Sequence, residues 1–172
     1  LSVLGSALRS AEATSAKEID AAVDEALKSL YASTSVAVEL AKVAKGILVF
    51  PQVVKGGFIL GAEFGNGALR KAGVLSGYYR TIGASYGFQA GVESFGYALF
   101  FVTDSALEYL DKSEGWEIGV GPTLTVIDQG VAASFSTTTL KSDIYAFFFD
   151  KQGLMAGLSL QGSKISRITP AP

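Results

Sequence analysis

Neither cysteine nor histidine occurs among the 172 residues, and methionine and tryptophan occur once each. Without cysteine there is no disulfide framework, thiol nucleophile or thiolate metal site. Without histidine the commonest general base and the commonest metal ligand are both missing. Zinc sites are built mainly from those two residue types. Carboxylate or Ser–Lys chemistry would remain, but no spacing points to either. The expectation is a protein that is not an enzyme and uses no metal or cofactor. Charged residues are also scarce, at 17% against 49% hydrophobic, so the chain is globular rather than disordered. Apolar runs stay short of the roughly 18 residues that a membrane-spanning helix needs. The net charge of −2 argues against a nucleic-acid partner. No Met opens the chain at Leu1, so a processed or trimmed product is expected; no signal peptide is visible, though one could have been removed.

What the chain has is alternation. In Thr81–Glu93 the even positions are Ile82, Ala84, Tyr86, Phe88, Ala90 and Val92, while the odd ones are glycine or polar. Period-two alternation argues a long β-strand with one apolar face. The pattern returns in Phe58–Phe64, Trp116–Val126 and Leu154–Leu160. Glycines within strands mark bends, bulges or close backbone approach. A strongly curved sheet, or a closed or half-closed barrel, is therefore expected. Tyr97–Val102 and Phe147–Phe149 are apolar on both faces, so those strands must be covered on both sides.

Two helices precede the sheet. Ser15-Ala16-Lys17-Glu18 reads as a capping box. Ile19, Val23, Ala26, Leu27 and Leu30 then share one face, which predicts a helix over about Ala16–Tyr31. Ser33–Ser35 can cap a second helix carrying Val36, Leu40, Ala41 and Ala44, with Gly46 as its stop. Of the 20 glycines, 19 lie at or after Gly46, and strands and turns are expected from there on. Pro51 should stop a short strand over Ile47–Phe50, and Gly65-Asn66-Gly67 should form a hairpin turn. Ser105-Ala106-Leu107-Glu108 is a second capping box, opening one short inserted helix. The strands Trp116–Ile127, Val131–Thr138, Asp143–Phe149, Leu154–Leu160 and Lys164–Ile168 complete the reading. The expected fold is α+β: a curved antiparallel sheet or barrel of about 7–9 strands, covered by an N-terminal helical pair and the inserted helix. Residues 1–14 read as a tether or short helix and 15–172 as a single domain.

Charge is unevenly spread. Lys42–Val92 holds Lys42, Lys45, Lys55, Arg70, Lys71 and Arg80 with one acid, Glu63, whereas Glu93–Gly130 holds seven acids and one base, Lys112. If the fold keeps the two segments apart, the six cations form a basic end that can meet an anionic lipid surface at about 1 kcal/mol per charge. If they pair in one sheet, they neutralise each other. Tyr78 and Tyr79 are candidate membrane-interface aromatics, although packing at the rim of a core explains such residues as well. An outer-membrane barrel also alternates apolar and polar faces. Some thirty residues of capped helix and strands apolar on both faces count against it.

From Lys45-Gly46-Ile47-Leu48-Val49-Phe50-Pro51 and Lys55-Gly56-Gly57 onward, the chain resembles a SYLF domain. The resemblance continues through Gly61, Gly65-Asn66-Gly67, Gly83 and Gly87-Phe88-Gln89-Ala90-Gly91, and closes with Ala146–Gly162. It spans roughly Asp20–Thr169 and looks like the bacterial envelope type, often a lipoprotein behind a cleaved signal. It implies a lipid-binding module; eukaryotic relatives bind phosphoinositides, and some bind or bundle actin. Those members rely on a basic N-terminal segment, whereas here only Arg9 and Lys17 precede Lys28, which weakens the case for actin. The resulting expectation is peripheral binding to anionic phospholipid at the cell envelope. The alternative is a structural or protein-interaction lipoprotein with no headgroup preference.

Overall fold

The computed structural model describes residues 14–55, 62–84, 94–149 and 160–172. Residues 1–13 of the tether read over 1–14, 58–61 of the Phe58–Phe64 strand, 85–93 of the Thr81–Glu93 strand and 154–159 of the Leu154–Leu160 strand lie outside the described residues. Helix α1 (Ala16–Ser33) begins where the capping box places it, with the Ser15 hydroxyl accepting from the Glu18 N–H at 3.1 Å. Its buried stripe is Ile19, Val23, Leu27 and Leu30. Helix α2 (Ser35–Val43) buries Ala37 and Leu40, and it ends at Ala44. Gly46, expected as the helix stop, opens the first strand instead.

Eight strands make one sheet: β1 (Gly46–Lys55), β2 (Ala62–Lys71), β3 (Val74–Ala84), β4 (Ser94–Phe101), β5 (Trp116–Glu117), β6 (Leu124–Val126), β7 (Ile144–Phe148) and β8 (Lys164–Ile168). Helices α3 (Asp104–Lys112) and α4 (Gln129–Ser134) lie between β4 and β5 and between β6 and β7. The spatial order is β5-β8-β3-β2-β1-β4-β7-β6. All neighbours are antiparallel except β6 and β7. The two ends are the short strands β5 and β6, which do not pair among the described residues, so the sheet is a curled half-barrel rather than a closed barrel.

Both faces are buried. On one, α1 and α2 cover Val49, Ala68, Ala98, Phe100, Tyr145 and Phe147. The alanines let the helix backbones approach the sheet closely. On the other, Leu48, Phe50, Tyr97, Leu99 and Phe101 pack with Leu107 and Leu110 of α3 and with Trp116 and Ile118. The strands apolar on both faces are thus the ones with cover on both sides.

Six local expectations change. Pro51 does not stop β1. The strand runs through it with one extra residue between Phe50 and Val53, a β-bulge. Proline has no N–H to give a ladder, and a bulge is where that lack is tolerated. Gly65-Asn66-Gly67 is not the turn but the middle of β2. A Cβ at Gly65 would run into the Gln52 carbonyl, and one at Gly67 into the Val49 carbonyl. The turn is Ala72–Gly73, both with positive φ (52° and 79°), as a two-residue hairpin turn of the right twist requires.

The segment read as a strand over Val131–Thr138 is instead α4 and a short 3₁₀ turn at Thr137–Thr139. Because β6 and β7 run parallel, the chain must cross over between them, and crossovers are usually helical. Trp116–Ile127 breaks into β5 and β6 at Gly119 and Gly121, whose φ values are 108° and 79°. The second capping box also shifts: Thr103, not Ser105, caps α3, accepting from the Ala106 N–H at 3.2 Å. The even face of β3 is not uniformly buried either: Ile82 is 52% exposed, while Thr81 is buried and accepts from the Tyr97 hydroxyl at 2.9 Å.

Candidate functional site

Four of the six candidate cations come to one end of the molecule. Lys42 lies in the last turn of α2, and Lys45 sits between α2 and β1. Arg70 and Lys71 close β2 just before the Ala72–Gly73 turn, with Arg70 opposite Ile47 in β1. Arg80 lies further along β3, where its Nε donates to the Asn66 amide oxygen across the strand pair at 3.0 Å. Lys55 is the last residue of β1, roughly 30 Å from Gly46 at about 3.3 Å per residue.

Each of these cations meets a specific environment. Arg70 and Lys71 are consecutive in a strand, so their side chains leave opposite faces. Arg70 turns to the helices, pairing with Asp24 of α1 at 2.6 Å and donating to the Asp20 carbonyl at 3.3 Å. Lys71 turns to the other face and pairs with Asp111 of α3 at 2.8 Å. Lys42 pairs with Glu39 one turn back at 3.1 Å. Lys45 and Lys28 are exposed. The Lys71–Asp111 pair joins the basic segment to the acidic one, so charge is partly neutralised there. Exposed pairs of this kind contribute about 0–1 kcal/mol and weaken with salt.

Between α1, the end of α2 and the hairpin turn lies a cleft of about 440 Å³, lined by Lys28, Tyr31, Ala44, Ile47, Arg70 and Gly73 among others. Burial raises the Tyr31 pKa, and the nearby Arg70 charge opposes that shift. At the rim of the same end, three aliphatic side chains stand in solvent: Val43 of α2 and Val74 and Leu75 of β3. Local sequence gave one sign of them, an aliphatic pair directly after an Ala-Gly turn. The missing signal was that Ala72–Gly73, and not Gly65–Gly67, is that turn.

The two candidate aromatics serve the fold. Tyr79 is 2% exposed, accepts from Arg167 Nη2 at 2.8 Å and lies under that guanidinium, 5.3 Å from its ring centroid. Tyr78 is half-buried and donates to the Asp20 carboxylate at 2.9 and 3.0 Å. Burial first, and then that hydrogen bond, raises the Tyr78 pKa. These contacts fasten β3 to β8 and to α1. Among the described residues no helix is long and apolar enough to cross a membrane, and no group of three potential ligands could hold a metal ion.

Residues 82–170 match the family model Ysc84, described as Las17-binding protein actin regulator. The chain belongs to the Ysc84 (SYLF) family. No curated protein matches it. The matched stretch runs from the end of β3 through β8, so it holds β4 to β8, α3, α4 and both edge strands. All six candidate cations precede it. The Ysc84 description names binding, the class that the SYLF resemblance implies.

Proposed function

We propose that this Ysc84-family chain is a non-enzymatic module that binds anionic lipid surfaces peripherally, through the end formed by α2 and the β2–β3 hairpin. One observation carries the reading: Lys42, Lys45, Arg70 and Lys71 share that end with exposed Val43, Val74 and Leu75. At about 1 kcal/mol per cation near an anionic surface, four of them could supply up to roughly 4 kcal/mol before their ion pairs are discounted. Weak binding of that kind suffices when a second attachment raises local concentration. We also propose that the module works at the bacterial cell envelope as a lipoprotein, a reading supported by its resemblance to envelope-type members and tested by cell fractionation.

Co-sedimentation with vesicles tests the lipid reading. Binding is expected to anionic and not to zwitterionic vesicles. It should weaken between 0.05 and 0.5 M salt, as expected when the Debye length falls from above 10 Å to a few Å. Lys42→Glu combined with Lys45→Glu should abolish it while leaving the fold intact, since both side chains are exposed. The family description favours a second reading, a protein-interaction module. Absence of vesicle binding at every salt concentration would select it.

A further inference from the structure

We propose that the tip of the β2–β3 hairpin is a membrane wedge: Val74 and Leu75 enter the acyl layer, while Arg70 and Lys71 stay at the headgroups. This rests on the lipid-binding reading and deepens it. Single exposed hydrophobic residues are ordinary on any surface. Here, though, three of the six large exposed hydrophobics among the described residues stand at one end: Val43, Val74 and Leu75, at 42%, 68% and 43% exposure. Their order along the hairpin is specific. Lys71 sits opposite Val74 and Arg70 opposite Leu75, so each face of the tip carries one aliphatic and one cation. Just behind this, the register slips by one residue, with Leu69 opposite Gly77 and Arg70 opposite Leu75. That bulge at Ser76 turns the tip relative to the rest of the sheet.

A bilayer is the occupant whose chemistry fits that order. Its outer layer is anionic and its inner layer apolar, so short aliphatic groups level with long basic side chains match it, the cations reaching back to the headgroups. Long basic side chains can keep their heads at the interface while neighbouring groups go deeper. A protruding two-residue turn suits a deformable surface. Asp24 and Asp111 hold back the charge of Arg70 and Lys71, so apolar insertion has to supply part of the affinity. That part does not fade with salt.

The absence of cysteine makes the test clean. Val74→Cys carries a single environment-sensitive fluorophore, and Lys164→Cys, opposite Ile82 towards the far end of β3, serves as the control. Both are mixed with phosphatidylserine–phosphatidylcholine vesicles, with and without brominated acyl chains. A blue shift and bromine quenching are expected at position 74 and not at 164. In the unlabelled chain, Val74→Ser with Leu75→Ser should lower vesicle affinity about ten-fold or more, with the thermal midpoint unchanged because both side chains are exposed. Vesicle binding with an unquenched probe at 74, or with affinity unchanged in the double serine variant, overturns the wedge and leaves the charge-based reading standing. No binding of the unlabelled chain to any vesicle overturns both.

Discussion

Asp143 shows how much one side chain can organise without announcing itself. It accepts from the Thr123 N–H, the Thr123 hydroxyl and the Thr103 hydroxyl, all at 3.0 Å. It thereby ties the cap of α3 and the approach to β6 to the start of β7. The Thr123 N–H bond is the main reason its pKa is lowered; the hydroxyl bonds add to the shift and partial burial opposes it. A depressed carboxylate stabilises the fold above its unfolded value, near pH 4, and that contribution is lost as pH falls through the lower folded value. Asp143→Ala should therefore cost roughly 1–3 kcal/mol at pH 7. Its deficit against the parent should shrink steadily below about pH 4, as measured by urea unfolding across pH. No neighbour in sequence marks this residue, because its partners lie 20 and 40 positions away. The Ser15 cap, by contrast, was legible because its partner is three residues on.

Among the elements, β1 and its neighbours explain both what the sequence pattern revealed and where it misled. Alternation located the end of β3 and the residues of β5 and β6, the short run Ile47–Phe50 located the first half of β1, and runs apolar on both faces located β4 and β7. Glycine in strands pointed to close approach, which is what Gly65, Gly67 and Gly96 provide around the Pro51 bulge: a Cβ at each would meet a β1 carbonyl. Asn-Gly is also the strongest local signal for a turn, and nothing within Gly65–Gly67 says that a bulged neighbour needs those glycines. The two causes separate experimentally. Gly67→Ala should destabilise the fold by roughly 1–3 kcal/mol or more, since backbone must move. Were Gly67 a surface turn residue with positive φ, Gly67→Ala would cost only about 1 kcal/mol and Gly67→Asn would recover it, whereas in β2 the larger Asn can only worsen the clash with the Val49 carbonyl. Denaturant midpoints of the parent and the two variants decide it. The α4 segment was misread for a related reason: the need for a crossover arises from β6 lying parallel to β7, a fact of topology that no short window contains.

For the molecule as a whole, the uneven run of charges along the chain becomes a balance held at one end. Asp24 reaches Arg70 from α1, and Asp111 reaches Lys71 from α3. The first acid lies outside both charge-biased segments, so a count over Lys42–Gly130 could not include it. Each acid is the partner that an anionic surface would have to displace or tolerate. Removing one leaves the cation in place and raises the charge of that end by one unit. At about 1 kcal/mol per charge near an anionic leaflet, Asp24→Asn should strengthen vesicle binding about five-fold at low salt. Asp111→Asn should do about the same, and the pair should multiply, since the two sites lie on opposite faces of β2. Both gains should vanish near 0.5 M salt, where screening shortens to a few Å. A wedge contribution from Val74 and Leu75 would remain there. Titrating vesicles against these variants at two salt concentrations thus separates the charge of this end from its apolar tip. Equal affinity for parent and Asp24→Asn at low salt would mean that Arg70 does not face the membrane.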